Sequence, residues 1–213
     1  MVIKSQKIQT SIDNSIEWLI NSGIQNKSGN KSGSVNAWYD INRRKYSFIY
    51  SEINGYFITM MIFLFKQTKD KKFINFALKS ARWLTKNAMH KSGGFRCLFL
   101  IDKSSPHAFK QNQIYSFDNG VILNGFISLY KLTKKKFLIK NAIKCGNWLT
   151  DYCIDKNNYV KPVYEISENK FYESDKEWST TSSGYHTKIA TGLLNLYSVT
   201  KKKKIFKICK KNL

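Results

Sequence analysis

The stretch YFITMMIFLF, from Tyr56 to Phe65, carries an apolar side chain at nearly every position. A helix without a polar face belongs in an interior, so the pattern predicts an inner helix near 54–68. After the polar turn TKDKK the pattern changes. Phe73, Phe76, Ala77, Ser80, Ala81 and Leu84 follow i, i+3, i+4, i+7 spacing, with Lys79, Arg82 and Lys86 turned outward. That predicts an amphipathic outer helix near 72–89, with one face for the core.

The hairpin recurs. YSEING at Tyr50 matches YSFDNG at Tyr115, an offset of 65 residues. In the same register Gly55 falls on Gly120, Thr68 on Thr133, Ala77 on Ala142, and RWLT at Arg82 on NWLT at Asn147. LYKLTKKK at Leu129 returns as LYSVTKKK at Leu196, 67 residues on. A repeat of this length is a supersecondary unit that buries its face only against its neighbours.

The reading is all-α, with residues 1–213 as one domain of about seven helices. An outer helix near 11–22 precedes hairpin repeats near 54–89, 118–153 and 185–211. Their inner helices lie near 54–68, 118–132 and 185–199, and their outer helices near 72–89, 136–153 and 203–211. Trp18, Trp83 and Trp148 recur in register and are expected in the core. Short strand pieces are expected in the long connections, at KYSFIY and NYVKPVYEI. Inner helices side by side, wrapped by outer ones, make an incomplete α/α toroid. Seven helices do not close a ring of twelve, which leaves a fragment, an open arc, or a ring completed by self-association. The chain stop inside the last outer helix favours truncation.

Composition adds a constraint. Hydrophobic residues make up 42% of the chain and aromatic ones 15%, enough for a sizeable core. The net charge of +22 would attract anions. Only four of the 36 basic residues are arginine, which argues against specific nucleic-acid readout, where Arg forks dominate. Abundant Lys, Asn, Ile, Phe and Tyr together also match AT-rich coding. The N-terminus has no signal-peptide core, and the longest apolar stretch is too short for a transmembrane segment. Cys97, Cys145, Cys153 and Cys209 lack CxxC spacing, so reduced thiols, a cytoplasmic location and no metal or cofactor are expected. Phosphate-cradling, GxSxG and HExxH motifs are absent.

The hexapeptides mark the N-terminal ends of inner helices, so Glu52, Asp118 and His186 are expected at one mouth. Ser51 and Ser116 fall where N-caps belong, and the helix dipole alone favours an acid there. Glycoside chemistry uses two carboxyl groups, one giving a proton and one acting as base or nucleophile. Glu52 and Asp118 are candidates for that pair, with Asp118 kept ionised by neighbouring amides and Glu52 as the acid. His186 is a candidate base or hydrogen-bond partner, and Lys188 a candidate for holding a sugar carboxylate. Trp38, Tyr39, Tyr115, Trp178 and Tyr185 fall in loops or at the mouth, where sugar rings stack.

The segments YSEINGYF, SFDNGVILNGFISLYKLT and YHTKIATGLL resemble α/α-toroid proteins of the six-hairpin glycosidase-like superfamily. They more closely resemble a group among polysaccharide biosynthesis proteins that carries YPETTGY-, FDTGQ- and YNTR-like motifs. The resemblance covers roughly residues 12–210. Ser51, Ile53 and Asn54 depart from the first motif, Val121 from the second, and His186 and Lys188 from the third. It implies a carbohydrate-active toroid with a polysaccharide or oligosaccharide partner, anionic glycans suiting the charge. Hydrolase, lyase and epimerase chemistry stay open. So do a non-catalytic glycan-binding or scaffold module and, on charge alone, a solenoid for nucleic acid or membrane surfaces.

Overall fold

The computed structural model describes residues 2–157, 159–175 and 177–212, without the side chains of 2–5, 178, 185, 211 and 212. Helix α1 (Val2–Asn21) leads into strands β1 (Asn36–Asp40) and β2 (Lys45–Tyr50). Inner helix α2 (Ser51–Thr68) and outer helix α3 (Lys71–Trp83) form the first hairpin, and α3 continues into a π-helical turn, Leu84–Ala88. Strands β3 (Leu98–Leu100) and β4 (Gln113–Tyr115) precede the second hairpin, α4 (Ser116–Thr133) and α5 (Lys136–Trp148). It too ends in a π-helical turn, Leu149–Cys153. Strands β5 (Val163–Glu165) and β6 (Lys170–Tyr172) precede the third hairpin, α6 (Lys188–Thr200) and α7 (Lys203–Asn212). The predicted hairpins are present, and α1 starts nine residues earlier than the periodicity suggested.

Two small antiparallel sheets, in the orders β1-β2-β3 and β4-β5-β6, aim the inner helices. Tyr50 lies opposite Leu98 and Tyr115 opposite Val163. Each of those tyrosines ends a strand, and the next residue is already helical. The Ser51 amide donates to the Cys97 carbonyl at 2.8 Å and the Ser116 amide to Pro162 at 2.9 Å. A donor that would otherwise be unsatisfied at the helix start is thus met by backbone of the following connection.

The N-cap expectation is therefore displaced by one residue. Tyr50 and Tyr115 occupy the cap positions, and Ser51 and Ser116 are the first helical residues. The Ser116 hydroxyl donates backward to the Lys161 carbonyl at 2.6 Å rather than capping its own helix. The helices stop by a shared device. Lys69, Lys134 and Lys201 each adopt a left-handed conformation, with φ of 61°, 55° and 56°. Their amides donate to Phe65, Tyr130 and Tyr197, closing the last turns.

Helix α4 packs between α2 and α6, and each outer helix packs on its own inner helix. Close approach of the inner helices needs glycine. A methyl group at Gly120 would meet the Ile189 Cα at 2.7 Å, and one at Gly192 would clash with the Gly120 carbonyl. One buried cluster runs from Ile58 and Met61 through Phe126 and Ile127 to Leu193 and Leu196. Helix α4 is buried almost all round, as an apolar inner helix should be. Helix α2 is not: one side of it borders an open groove with α1, and Tyr56 near its start meets Lys188 of α6 while staying partly exposed. Tyr56, Met60 and Phe63, at i, i+4, i+7 spacing, are 36%, 48% and 55% exposed.

The tryptophan expectation holds in part. Trp83 is covered by Phe99 and Trp148 by Tyr164 and Phe171. Trp18 is 57% exposed and lines an open groove with Trp38, Tyr39 and Tyr46. The four cysteines are buried and unpaired with one another. Among the described residues no helix is long and apolar enough to cross a membrane.

Candidate functional site

The strand-to-helix turns bring three inner-helix starts together. Glu52 is the second residue of α2 and Asp118 the third of α4. Lys188 opens α6, after a 3-10 turn at Gly184–Thr187.

Asp118 is buried, and its Oδ2 has no hydrogen-bond partner among the described residues. Burial pushes its carboxyl well above the usual range, and the neighbouring Glu52 charge pushes it further. The Cys97 thiol, the Tyr50 hydroxyl and the Lys110 ammonium oppose this more weakly. No backbone amide is among the groups that oppose this, so the surroundings favour the neutral form of Asp118, against the expectation that amides would keep it charged. Lys110 is itself tied to Glu177 at 2.8 Å.

Glu52 is half-buried, and burial raises its carboxyl too. The Tyr56 hydroxyl and the Lys188 ammonium work against that shift. Lys188 Nζ donates to the Tyr56 hydroxyl at 2.7 Å. It also lies 4.8 Å from the centre of the Tyr56 ring and 5.5 Å from that of Phe117. Asp118 and Glu52 thus interact as a pair, and Lys188 joins them through Tyr56.

His186 lies on the 3-10 turn that leads into α6. It is buried with its ring edge toward Phe117, 6.5 Å between centres. Its Nε2 donates to the Thr181 carbonyl at 3.0 Å, which places the proton of the neutral ring on Nε2. Burial lowers its pKa, and Glu173 is the charged residue that counters this. It lines a small cavity of about 250 Å³ with Ile189, Leu193, Ile208 and Cys209.

The aromatic candidates divide. Trp38 and Tyr39 lie on β1, 68% and 51% exposed, in the groove that Ile53 also lines. The groove encloses about 670 Å³ and borders the turn carrying Glu52. Tyr115 is wholly buried, with its hydroxyl donating to Gln113 Oε1 at 2.8 Å, so it offers no face to a sugar. The side chains of Trp178 and Tyr185 lie outside the described residues. Sequence reasoning placed Tyr56 in the apolar run and gave no role to Tyr50, Cys97 or Lys110. The polar end of Tyr56, one turn after Glu52, was the available signal. Among the described residues no group of His, Cys, Asp and Glu is arranged to hold a metal ion.

No protein-family model matches the chain, and no curated protein matches it. Solved structures do. Cellobiose 2-epimerase from Bacillus thermoamylovorans superposes with a TM-score of 0.74 at 10% identity, over 97% of this chain and 54% of that one. The fold is an incomplete α/α toroid. A sugar epimerase from a ruminal bacterium gives 0.70 at 8% identity, over 89% and 48%. A family 76 α-mannanase from Bacteroides thetaiotaomicron gives 0.63 at 15%, over 79% and 44%. The likeness is one of fold, the α/α toroid, and the present chain spans about half the length of each.

Proposed function

We propose that this toroid acts on a carbohydrate at the mouth formed by the starts of α2, α4 and α6, with Asp118 as proton donor and Glu52 as base. The observation that carries this reading is the buried Asp118 carboxyl, unpartnered at Oδ2 and beside Glu52. A neutral carboxyl next to a charged one is the division of labour that glycoside cleavage and sugar epimerisation need. The named activities of the structural neighbours, cellobiose epimerisation and α-mannan cleavage, fall in the same substrate class. The charge of +22 favours an anionic glycan, as polysaccharide biosynthesis would supply, and buried reduced cysteines suit a cytoplasmic setting.

Self-association fits this reading. Ile8, Ile12, Met60 and Phe63 line an open apolar groove between α1 and α2. A second copy is the occupant proposed here.

The test is proton NMR of the intact chain with cellobiose and with α-mannan. New product resonances are expected for wild type, falling by about 100-fold or more in Asp118→Asn and Glu52→Gln. Turnover undiminished in both variants, or none in wild type, overturns the enzymatic reading. A second reading rests on the Trp18, Trp38 and Tyr39 groove, which suits glycan binding without chemistry. It predicts glycan retention that survives Asp118→Asn and is lost in Trp38→Ala.

A further inference from the structure

We propose that Lys188 and Tyr56 form a positioning relay that holds Glu52 as the ionised member of the carboxyl pair and leaves the shared proton on Asp118. The inference deepens the acid–base reading above and rests on it for its chemical use, though the protonation pattern itself is measurable without any sugar.

Hydrogen-bond polarity fixes the direction of the relay. A lysine ammonium has donors only, so at 2.7 Å the Tyr56 oxygen must accept from Lys188. The single hydroxyl hydrogen of Tyr56 is then left for another acceptor, and Glu52, one turn earlier on the same helix, is the carboxylate beside it. A carboxylate accepts that hydrogen, and a phenol donating to it favours the charged form. The cation is held as well as present. It lies over the rings of Tyr56 and Phe117, two aromatic faces from different helices. Phe117 immediately precedes Asp118, so α4 clamps the cation with one residue and presents the acid with the next.

The other carboxyl has the opposite surroundings. The titratable groups facing Asp118 are Glu52 from α2, Tyr50 from β2, Cys97 from the connection before β3, Lys110 from the 3-10 turn before β4, and Tyr115 from β4. Those facing Glu52 are Asp118, Tyr50, Tyr56 and Lys188. Tyr50 and Cys97 are neutral donors, and Lys110 is engaged by Glu177. Asp118 Oδ2 has no hydrogen-bond partner among the described residues, so Tyr50 and Cys97 leave that oxygen unmet, which a neutral carboxyl tolerates better than a carboxylate does. One proton for two carboxyls therefore settles on Asp118. Three inner helices contribute: Glu52 and Tyr56 from α2, Phe117 and Asp118 from α4, Lys188 from α6.

The experiment is a pH titration of the intact chain carrying carbon-13 in Asp and Glu carboxyls, without sugar. Signals are assigned by their loss in Glu52→Gln and Asp118→Asn. In wild type Glu52 is expected to ionise at lower pH than Asp118. Tyr56→Phe and Lys188→Met should each raise the Glu52 midpoint by about one unit or more, and Lys188→Arg should restore it. Circular dichroism checks that each variant is folded. Asp118 ionising first in wild type overturns the relay, and that measurement stands even if a variant fails to fold. So does a Glu52 midpoint unmoved in both folded variants. Absence of sugar turnover in wild type, with the titration as expected, would sink the proposed function and leave the relay in place.

Discussion

Ser80 donates to the Asn54 side-chain oxygen at 2.9 Å, and the buried Cys145 repeats that contact to Asn119 at 3.5 Å, 65 residues further along. The asparagine is why the hexapeptide recurs. Asn54 Nδ2 reaches back to the Tyr50 carbonyl while its oxygen accepts the Val35 amide at 3.0 Å. Asn119 does the same with Tyr115 and the Phe95 amide, and also donates to the Phe95 carbonyl. Each asparagine thus ties a strand end, an incoming loop and an outer helix to the first turn of an inner helix. The incoming loop must come close. A Cβ added at Gly93, whose φ is 105°, would lie 2.7 Å from the Lys144 carbonyl oxygen.

Replacing this clamp should be costly. Asn119→Ala removes four buried hydrogen bonds, the Cys145 thiol's included, and strands two Phe95 backbone groups. Urea unfolding should show a loss of about 2–4 kcal/mol, at roughly 1 kcal/mol or more per unsatisfied group. A loss below about 0.5 kcal/mol would mean that the loop is held by apolar packing instead.

The inner-helix seam makes a second prediction. Gly120→Ala places a methyl against the Ile189 backbone, and Gly192→Ala places one against the Gly120 carbonyl. Neither neighbour is the end of a flexible side chain, so the helices must move apart. Each variant should lose about 1–3 kcal/mol. Scanning calorimetry would register this as a drop of about 2–4 °C per kcal/mol for a chain of this size. Unchanged melting in both variants would show that α4 and α6 sit less closely than described.

Stability should fall with rising pH through Asp118. Its folded midpoint is raised by burial, so the unfolded chain ionises this group first. The stabilising contribution is complete below the unfolded Asp value of about 4 and is lost as pH rises toward the folded midpoint. Asp118→Asn, which cannot ionise, should escape that loss. Relative to wild type it should gain up to about 1.4 kcal/mol per pH unit across that window, measured by urea unfolding at steps from pH 3.5 to 8. A flat difference would mean Asp118 ionises normally.

Much of this architecture was legible because the repeat forces it. The apolar run at Tyr56–Phe65 and the spaced Phe73, Ala77 and Leu84 are local patterns, and they named the inner and outer helices correctly. The misreadings share a cause: neighbouring elements decide what periodicity leaves open. Trp18 matches Trp83 and Trp148 in register, but it borders an open groove and stays 57% exposed, where Phe99 packs edge-on against Trp83. Tyr115 looks like a mouth residue by position and is sealed by the second sheet. The assignment of the proton to Asp118 depends on Oδ2 having no hydrogen-bond partner among the described residues, which only the folded surroundings reveal. Lys188 and Tyr56 are 132 residues apart, so no spacing rule could pair them.

His186 carries the last prediction, and the register makes it. It lies 67 residues after Asn119, in the position of the asparagine clamp, and it is buried as Asn54 and Asn119 are. Asparagine should therefore be accepted there. His186 has a depressed folded midpoint, so its neutral form contributes stability that is present above the unfolded value of about 6.5. That contribution is lost as pH falls toward the folded midpoint, because the unfolded chain takes up the proton first. His186→Asn should fold, match wild type within about 1 kcal/mol at pH 8, and gain on it progressively below pH 6.5. Urea unfolding of both proteins between pH 5 and 8 measures the gap. A variant that fails to fold, or a gap independent of pH, would show that His186 is not a stand-in for the clamp and would return it to the list of residues with chemistry of their own.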